Sequence, residues 1–172
     1  MPRAALERHP AARCPALRAV EASISRDSAT HLKAVFFLEG EIARLRIPPP
    51  RAPRFAQNLW QHTCCEVFAA EKGAAAYREF NLSPSGEWAA YAFERYRRGA
   101  EVAAPPPRIA VNREDNALEL SALIPFEKRG GLDIGLSMVV EDEDGALSYW
   151  ALRHAPGQPD FHRREAFALE LE

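Results

Sequence analysis

Along this chain apolar and polar residues alternate more often than they cycle. Residues 17–25 (LRAVEASIS), 117–125 (ALELSALIP) and 166–172 (AFALELE) put apolar side chains near every second position. That is the period of a strand with one buried face. Residues 32–40 (LKAVFFLEG) and 41–47 (EIARLRI) read as two more strands with a turn near Glu39-Gly40. Further strands are expected at 63–70, 77–82, 108–112, 134–141 and 147–154, with SPSG at 83–86 as a strong turn signal. Residues 88–98 (WAAYAFERYRR) are the ambiguous stretch, because Tyr91, Phe93 and Tyr96 fit neither period cleanly; they are read as strand. Proline lacks a ladder donor and fixes φ, so the clusters at 48–53 (PPPRAP) and 105–107 (PPP) interrupt pairing. They are read as crossings between sheets rather than domain boundaries. The pattern predicts an all-β fold: an antiparallel β-sandwich of immunoglobulin-like or jelly-roll type with about ten strands. Residues 1–16 are expected to form an irregular lead-in, and residues 17–172 one domain.

The most informative stretch is LWQHTCCEVF at 59–68. Extended as a strand, His62, Cys64, Glu66 and Phe68 share one face, and Thr63, Cys65, Val67 and Ala69 the other. The next strand divides Tyr77, Glu79 and Asn81 from Arg78, Phe80 and Leu82. With Glu66 opposite Glu79, the residues Cys65, Val67, Phe80 and Leu82 form an apolar face. His62, Cys64, Glu66, Tyr77, Glu79 and Asn81 then form a polar one. A slip of one residue would mix the faces. Two glutamates side by side destabilise a strand pair by up to roughly 1 kcal/mol, so they face either water or something bound. At the last hairpin, a two-residue turn at Asp144-Gly145 sets Glu141 opposite Ser148 and Val139 opposite Trp150. Ser137, Val139, Glu141, Ser148, Trp150, Leu152 and His154 then share a face.

Composition adds limits. With 172 residues, 47% hydrophobic and 27% charged, the chain is ordinary for a globular protein. A net charge of −2 provides no global field toward nucleic acid or an anionic membrane. The short basic runs at 95–98 and 163–164 are too small to change that. No stretch approaches the roughly 20 apolar residues of a membrane helix, and the first residues lack the apolar core of a secretory signal. Cys14, Cys64 and Cys65 are odd in number, and adjacent strand residues point apart, so no disulfide framework is expected. A cytoplasmic location follows as the expectation.

Several chemistries compete for the polar face. His62, Cys64 and Glu66 offer metal donors from one strand, with His154, Asp160 and His162 from a later segment, yet paired CxxC or HxxxH spacing is missing. Cys64 or Cys65 with His62 or His162 would make a nucleophilic dyad, but a mid-strand thiol has nothing to lower its pKa. Glu66 with Glu79 would suit acid/base hydrolysis. Trp60, Trp88, Tyr91 and Trp150 stand beside polar groups, as aromatic platforms for sugar rings do. The same aromatics would flank a haem, with His154, His162 and Met138 as candidate axial ligands. No phosphate-binding glycine loop, nucleophile elbow or nucleic-acid module is present.

Three blocks carry a resemblance: LWQHTCCEVFAA, YREFNLSPSGEWAAYAFERYR and VVEDEDGALSYWALRHAPGQPDFHRREAFALEL, together spanning residues 59–171. They resemble the bacterial DOMON-like group, whose wider superfamily includes the family 9 carbohydrate-binding modules. The resemblance implies a β-sandwich with a ligand site on one sheet face or its rim, and a sugar-like molecule or haem as ligand. The resulting expectation is a non-catalytic module for a carbohydrate-like small molecule. Its candidate binding residues are Trp60, His62, Glu66, Tyr77, Glu79, Asn81, Trp88, Trp150, His154, Asp160 and His162. A haem-binding sensor or carrier, and a metal-assisted or acid/base hydrolase, are the alternatives. No nucleic-acid or membrane partner is expected.

Overall fold

A computed structural model describes residues 2–128 and 130–172. The strands in chain order are β1 (Ala4–Ala5), β2 (Glu7–Arg8), β3 (Leu17–Ser28), β4 (His31–Gly40), β5 (Cys64–Glu71), β6 (Tyr77–Leu82) and β7 (Trp88–Arg95). They continue with β8 (Arg98–Glu101), β9 (Arg108–Arg113), β10 (Ala117–Pro125), β11 (Leu132–Glu141), β12 (Leu147–Ala151) and β13 (Leu169–Leu171). The smaller sheet runs β1-β3-β4-β10-β9, and the larger β2-β12-β11-β5-β6-β7-β8, with β13 also on β11. Every strand pairing is antiparallel. The two sheets face each other as a β-sandwich, the expected fold class.

Period-2 burial produces this arrangement. On β4, Leu32, Ala34, Phe36 and Leu38 are fully buried, and on β10 so are Leu118, Leu120 and Ile124. Cys65, Val67, Phe80, Leu82, Leu136, Met138 and Val140 meet them from the larger sheet. Each large side chain so buried contributes about 1.5–3 kcal/mol. Both proline clusters lie where the chain passes between sheets, 48–53 between β4 and β5 and 105–107 between β8 and β9.

Two local expectations fail for visible reasons. Residues 41–47 form no strand; Ile42–Arg44 make a single 3-10 turn. The apolar spacing there is three, and Ile42 and Leu45, one 3-10 turn apart, are both buried. The lead-in is also not wholly irregular: β1 joins the smaller sheet and β2 the larger, so it spans the sandwich edge.

The larger sheet is buried on its second face too. β12 and β13 occupy the same edge of β11, pairing with Ser137–Glu141 and Leu132–Ile134 respectively. Residues 152–168 between them leave the sheet and return. On the way they seat Phe161, Ala166 and Phe167 against Phe68, Ala70, Tyr77, Val139 and Ala151. Gly135 allows this close approach, since a Cβ there would stand 3.1 Å from the Phe167 ring.

Candidate ligand-binding site

Where residues 152–168 do not cover the outer face, an open cavity of about 870 Å³ remains. That is the size of a small-molecule site. Its floor is built by strand alternation: Glu66 of β5, Glu79 of β6, Tyr91 and Phe93 of β7, Val139 of β11 and Tyr149 of β12. Its walls are Trp60 from the 3-10 turn Leu59–Gln61, Arg97 from the β7–β8 turn, and Asp160, Phe161 and His162. Asn58 and Arg97 also line it, and they are the two non-glycine residues with positive φ among the described residues, at 59° and 53°. A side chain held in that region costs roughly 1–2 kcal/mol, and such strain gathers at functional sites.

A chain of hydrogen bonds fixes the wall. The Arg97 N–H donates to the Tyr77 hydroxyl (3.2 Å), which is also hydrogen-bonded to His162 Nδ1 (2.8 Å). The other ring nitrogen, Nε2, stands 3.6 Å from Glu79 Oε2. The His162 ring is caged by Phe68 and Phe93, with centroids 5.2 and 5.0 Å away. Burial, and then the Arg97 guanidinium, push the imidazole down to about 4. It is therefore neutral near pH 7, and its contact with Glu79 is dipolar rather than an ion pair. Asp160 is held by the Tyr96 hydroxyl, by Arg97 Nη2 (2.9 Å) and by the His162 N–H (3.1 Å). Burial works against its charge, but these bonds prevail and lower its pKa.

The floor has the opposite character. Glu66 and Glu79 are almost fully buried. Burial lifts Glu79 to about 7, against the opposing pull of Asn81 and Arg97. Burial first, and the neighbouring Glu79 second, hold Glu66 well above the carboxylate range. No Lys or Arg among the described residues lies within ion-pair distance of either. Asn81 lies beside this pair, its amide close enough to draw Glu79 down yet too loosely placed for a well-formed hydrogen bond.

The register differs from expectation in two ways. Glu66 faces Asn81, and Glu79 faces Phe68. The shift is two residues, so both faces keep their members. At the last hairpin the slip is one residue: Glu141 pairs with Leu147, and Val139 with Tyr149. The turn is a three-residue loop. Gly145, at φ +85°, donates its N–H to the Asp142 carbonyl, while the Asp142 carboxylate accepts from the Asp144 and Ala146 N–H groups. Asp and Gly three apart are the preferred ends of a type I turn, and that signal would have placed Tyr149 in the site.

The structure brings Trp60, Glu66, Glu79, Asp160 and His162 together at the cavity, with Tyr77 and Asn81 directly beneath. The other candidates lie elsewhere. Trp150 is in the core, where its Nε1–H donates to Ser148 Oγ (2.9 Å). Trp88 is in the same core, edge-on to Phe55. His62 follows the 3-10 turn rather than sitting on a strand, and it bonds Glu141 (2.7 Å) beside a separate crevice. His154 donates to the Glu7 carbonyl (2.8 Å) and stacks edge-on to His9, tying residues 152–168 to the N-terminus. Met138 is fully buried between the sheets, so it and a cavity histidine cannot flank one ligand. Burial pushes both Cys64 and Cys65 thiols well up, contrary to a nucleophilic role. Among the described residues, no three His, Cys, Asp or Glu side chains gather closely enough to hold a metal ion. Arg97, Phe93 and Phe161 were not anticipated; no local sequence signal brings the β7–β8 turn to the later loop.

No family model matches the chain, and no curated protein matches it. Solved structures do share its fold. A candidate carbohydrate-binding protein from Bacteroides uniformis ATCC 8492 superposes with a TM-score of 0.59 at 14% identity, over 89% of this chain and 77% of that one. A family 9 carbohydrate-binding module from Caldicellulosiruptor kristjanssonii is similar in two complexes. With cellotriose the TM-score is 0.58 at 11% identity, over 94% of this chain and 76% of the module. With glucose it is 0.54 at 11% identity, over 90% and 75%.

Proposed function

We propose that the outer-face cavity binds a sugar-like small molecule and that the protein is a non-catalytic binding module. The observation that carries this reading is the pairing of buried carboxyl groups without a cationic partner, Glu66 and Glu79, with the aromatic side chains of Trp60, Tyr91 and Tyr149. Ring faces take the apolar side of a sugar, and carboxyl oxygens accept its hydroxyl protons. The fold shared with a glucose- and cellotriose-bound module supports it, as does the resemblance of residues 59–171 to DOMON-like proteins.

Titration calorimetry with glucose, cellotriose and other neutral and amino-bearing oligosaccharides tests the proposal. Saturable binding is expected, weakened about tenfold, or ~1.4 kcal/mol, by Trp60→Ala. Absence of binding across the panel would overturn it. One observation favours a second reading, acid/base hydrolysis: Glu79 sits near 7 beside a second carboxyl. Product analysis on the same mixtures separates the two, since a binding module returns its ligand intact.

A further inference from the structure

Carboxyl groups outnumber cations around the cavity, and the excess lies at its floor. Glu66, Glu79, Glu101 and Asp160 line it, while the lining cation among the described residues is Arg97. Arg97 donates to Asp160 (2.9 Å), Glu101 accepts from the neutral Gln57 amide, and no Lys or Arg among the described residues pairs with Glu66 or Glu79. Independent of charge, the strand row through Glu66 has unused hydrogen-bonding capacity. Asn81 on β6 and Ser137 on β11 both pair with Glu66 across the sheet and project from the same outer face. Both are at least nine-tenths buried, yet Asn81 Oδ1 and Ser137 Oγ have no partner, and the Asn81 amide engages Glu79 only loosely. A buried polar atom left unmet carries the full cost of its desolvation. Asn81 and Ser137 lie beneath the cavity lining, and Glu66, itself buried, is the member of this row that reaches the cavity.

We propose that the ligand carries an ammonium group as well as hydroxyls, and that the ammonium seats at Glu66 and Glu79. The inference rests on the reading of this cavity as a sugar-like site and narrows its ligand class to amino-bearing molecules. An ammonium suits the floor better than a metal ion does. A hard cation needs six or more oxygen donors, whereas an ammonium needs two or three acceptors and gains from aromatic faces such as Tyr91, Phe93 and Tyr149. Such a ligand favours the charged glutamates, so its binding releases protons. Facing the pair are Cys64 on β5, Tyr77 on β6, Tyr91 on β7, Glu101 on β8, Arg97 in the β7–β8 turn, Tyr149 on β12, and Asp160 and His162 in the covering segment. Burial holds Cys64, Tyr77 and Tyr91 neutral at pH 7, and His162 is neutral there too, so the released protons come from the glutamates.

The test is calorimetry on the full chain at pH 7.5 and physiological salt, using glucosamine trimer, its N-acetylated counterpart and cellotriose. The amine trimer is expected to bind at least about tenfold more tightly than either neutral trimer. Its heat should change between two buffers of different ionisation enthalpy and, once proton uptake by the sugar's own amines is subtracted, the remainder should be a release that grows toward pH 6.5. Glu79→Gln should bring the affinity ratio of amine to neutral trimer to about one. Equal binding of amine and neutral trimers would overturn this proposal and leave the sugar-like reading standing. A thermal shift with calcium chloride and no preference for the amine would assign the floor to a metal instead. Failure of all three trimers to bind would overturn both readings.

Discussion

Glu79→Gln is expected to make the protein more stable than the wild type at pH 8, by ~2–3 kcal/mol, with little difference at pH 4.5. The folded chain raises the Glu79 pKa to about 7 by burial. Between the ordinary carboxylate value and about 7 the folded protein holds a proton that the unfolded chain has released. Stability is therefore full below this window, falls as pH rises through it, and levels off above. Glutamine keeps the shape and has no charge to desolvate. Glu66, raised in the same direction, adds to the wild-type decline. At roughly 2–4 °C per kcal/mol for a chain of this size, the variant should melt several degrees higher at pH 8. Melting curves from pH 4.5 to 8.5 measure it. A constant difference across that range would show that burial does not control this carboxyl.

The second large effect separates two tryptophans. Trp150→Ala should cost about 3–5 kcal/mol of folding stability, because it empties a packed site between the sheets. It also leaves Ser148 Oγ without the indole donor. Trp60 is 49% exposed at the cavity wall, so Trp60→Ala should change stability by no more than about 0.5 kcal/mol while weakening ligand binding. Urea unfolding and ligand titration on both variants give the comparison. A stable Trp150→Ala protein with lost binding would place the wrong tryptophan at the site.

Those two residues also show how much the sequence discloses. Period-2 alternation sorts β5 and β6 into a core face and a polar outer face, and survives a register error because the error is two residues. The same reasoning failed at the last hairpin, where a three-residue turn in place of a two-residue one exchanged the faces. Trp150 moved to the core and Tyr149 to the cavity. His62 was misplaced because its strand begins two residues later, at Cys64, after a 3-10 turn. The Arg97–Asp160 pairing and the cover over Phe68 and Tyr77 join segments some 60 or more residues apart. Periodicity is local and cannot register such contacts. Glu66 and Glu79 were legible as a shared polar face, but not as buried, because what buries them arrives from residues 152–168.

The central claim is that small molecules bind on the outer face of the larger sheet, against Glu66 and Glu79 and beneath the wall of Trp60, Arg97 and His162. A crystal structure of the protein soaked with cellotriose and with glucosamine trimer tests it directly. The account predicts ligand density in that cavity, with a ring against an aromatic wall and polar atoms at the two glutamates. Density confined to the His62 crevice, or to another face of the sandwich, would contradict it.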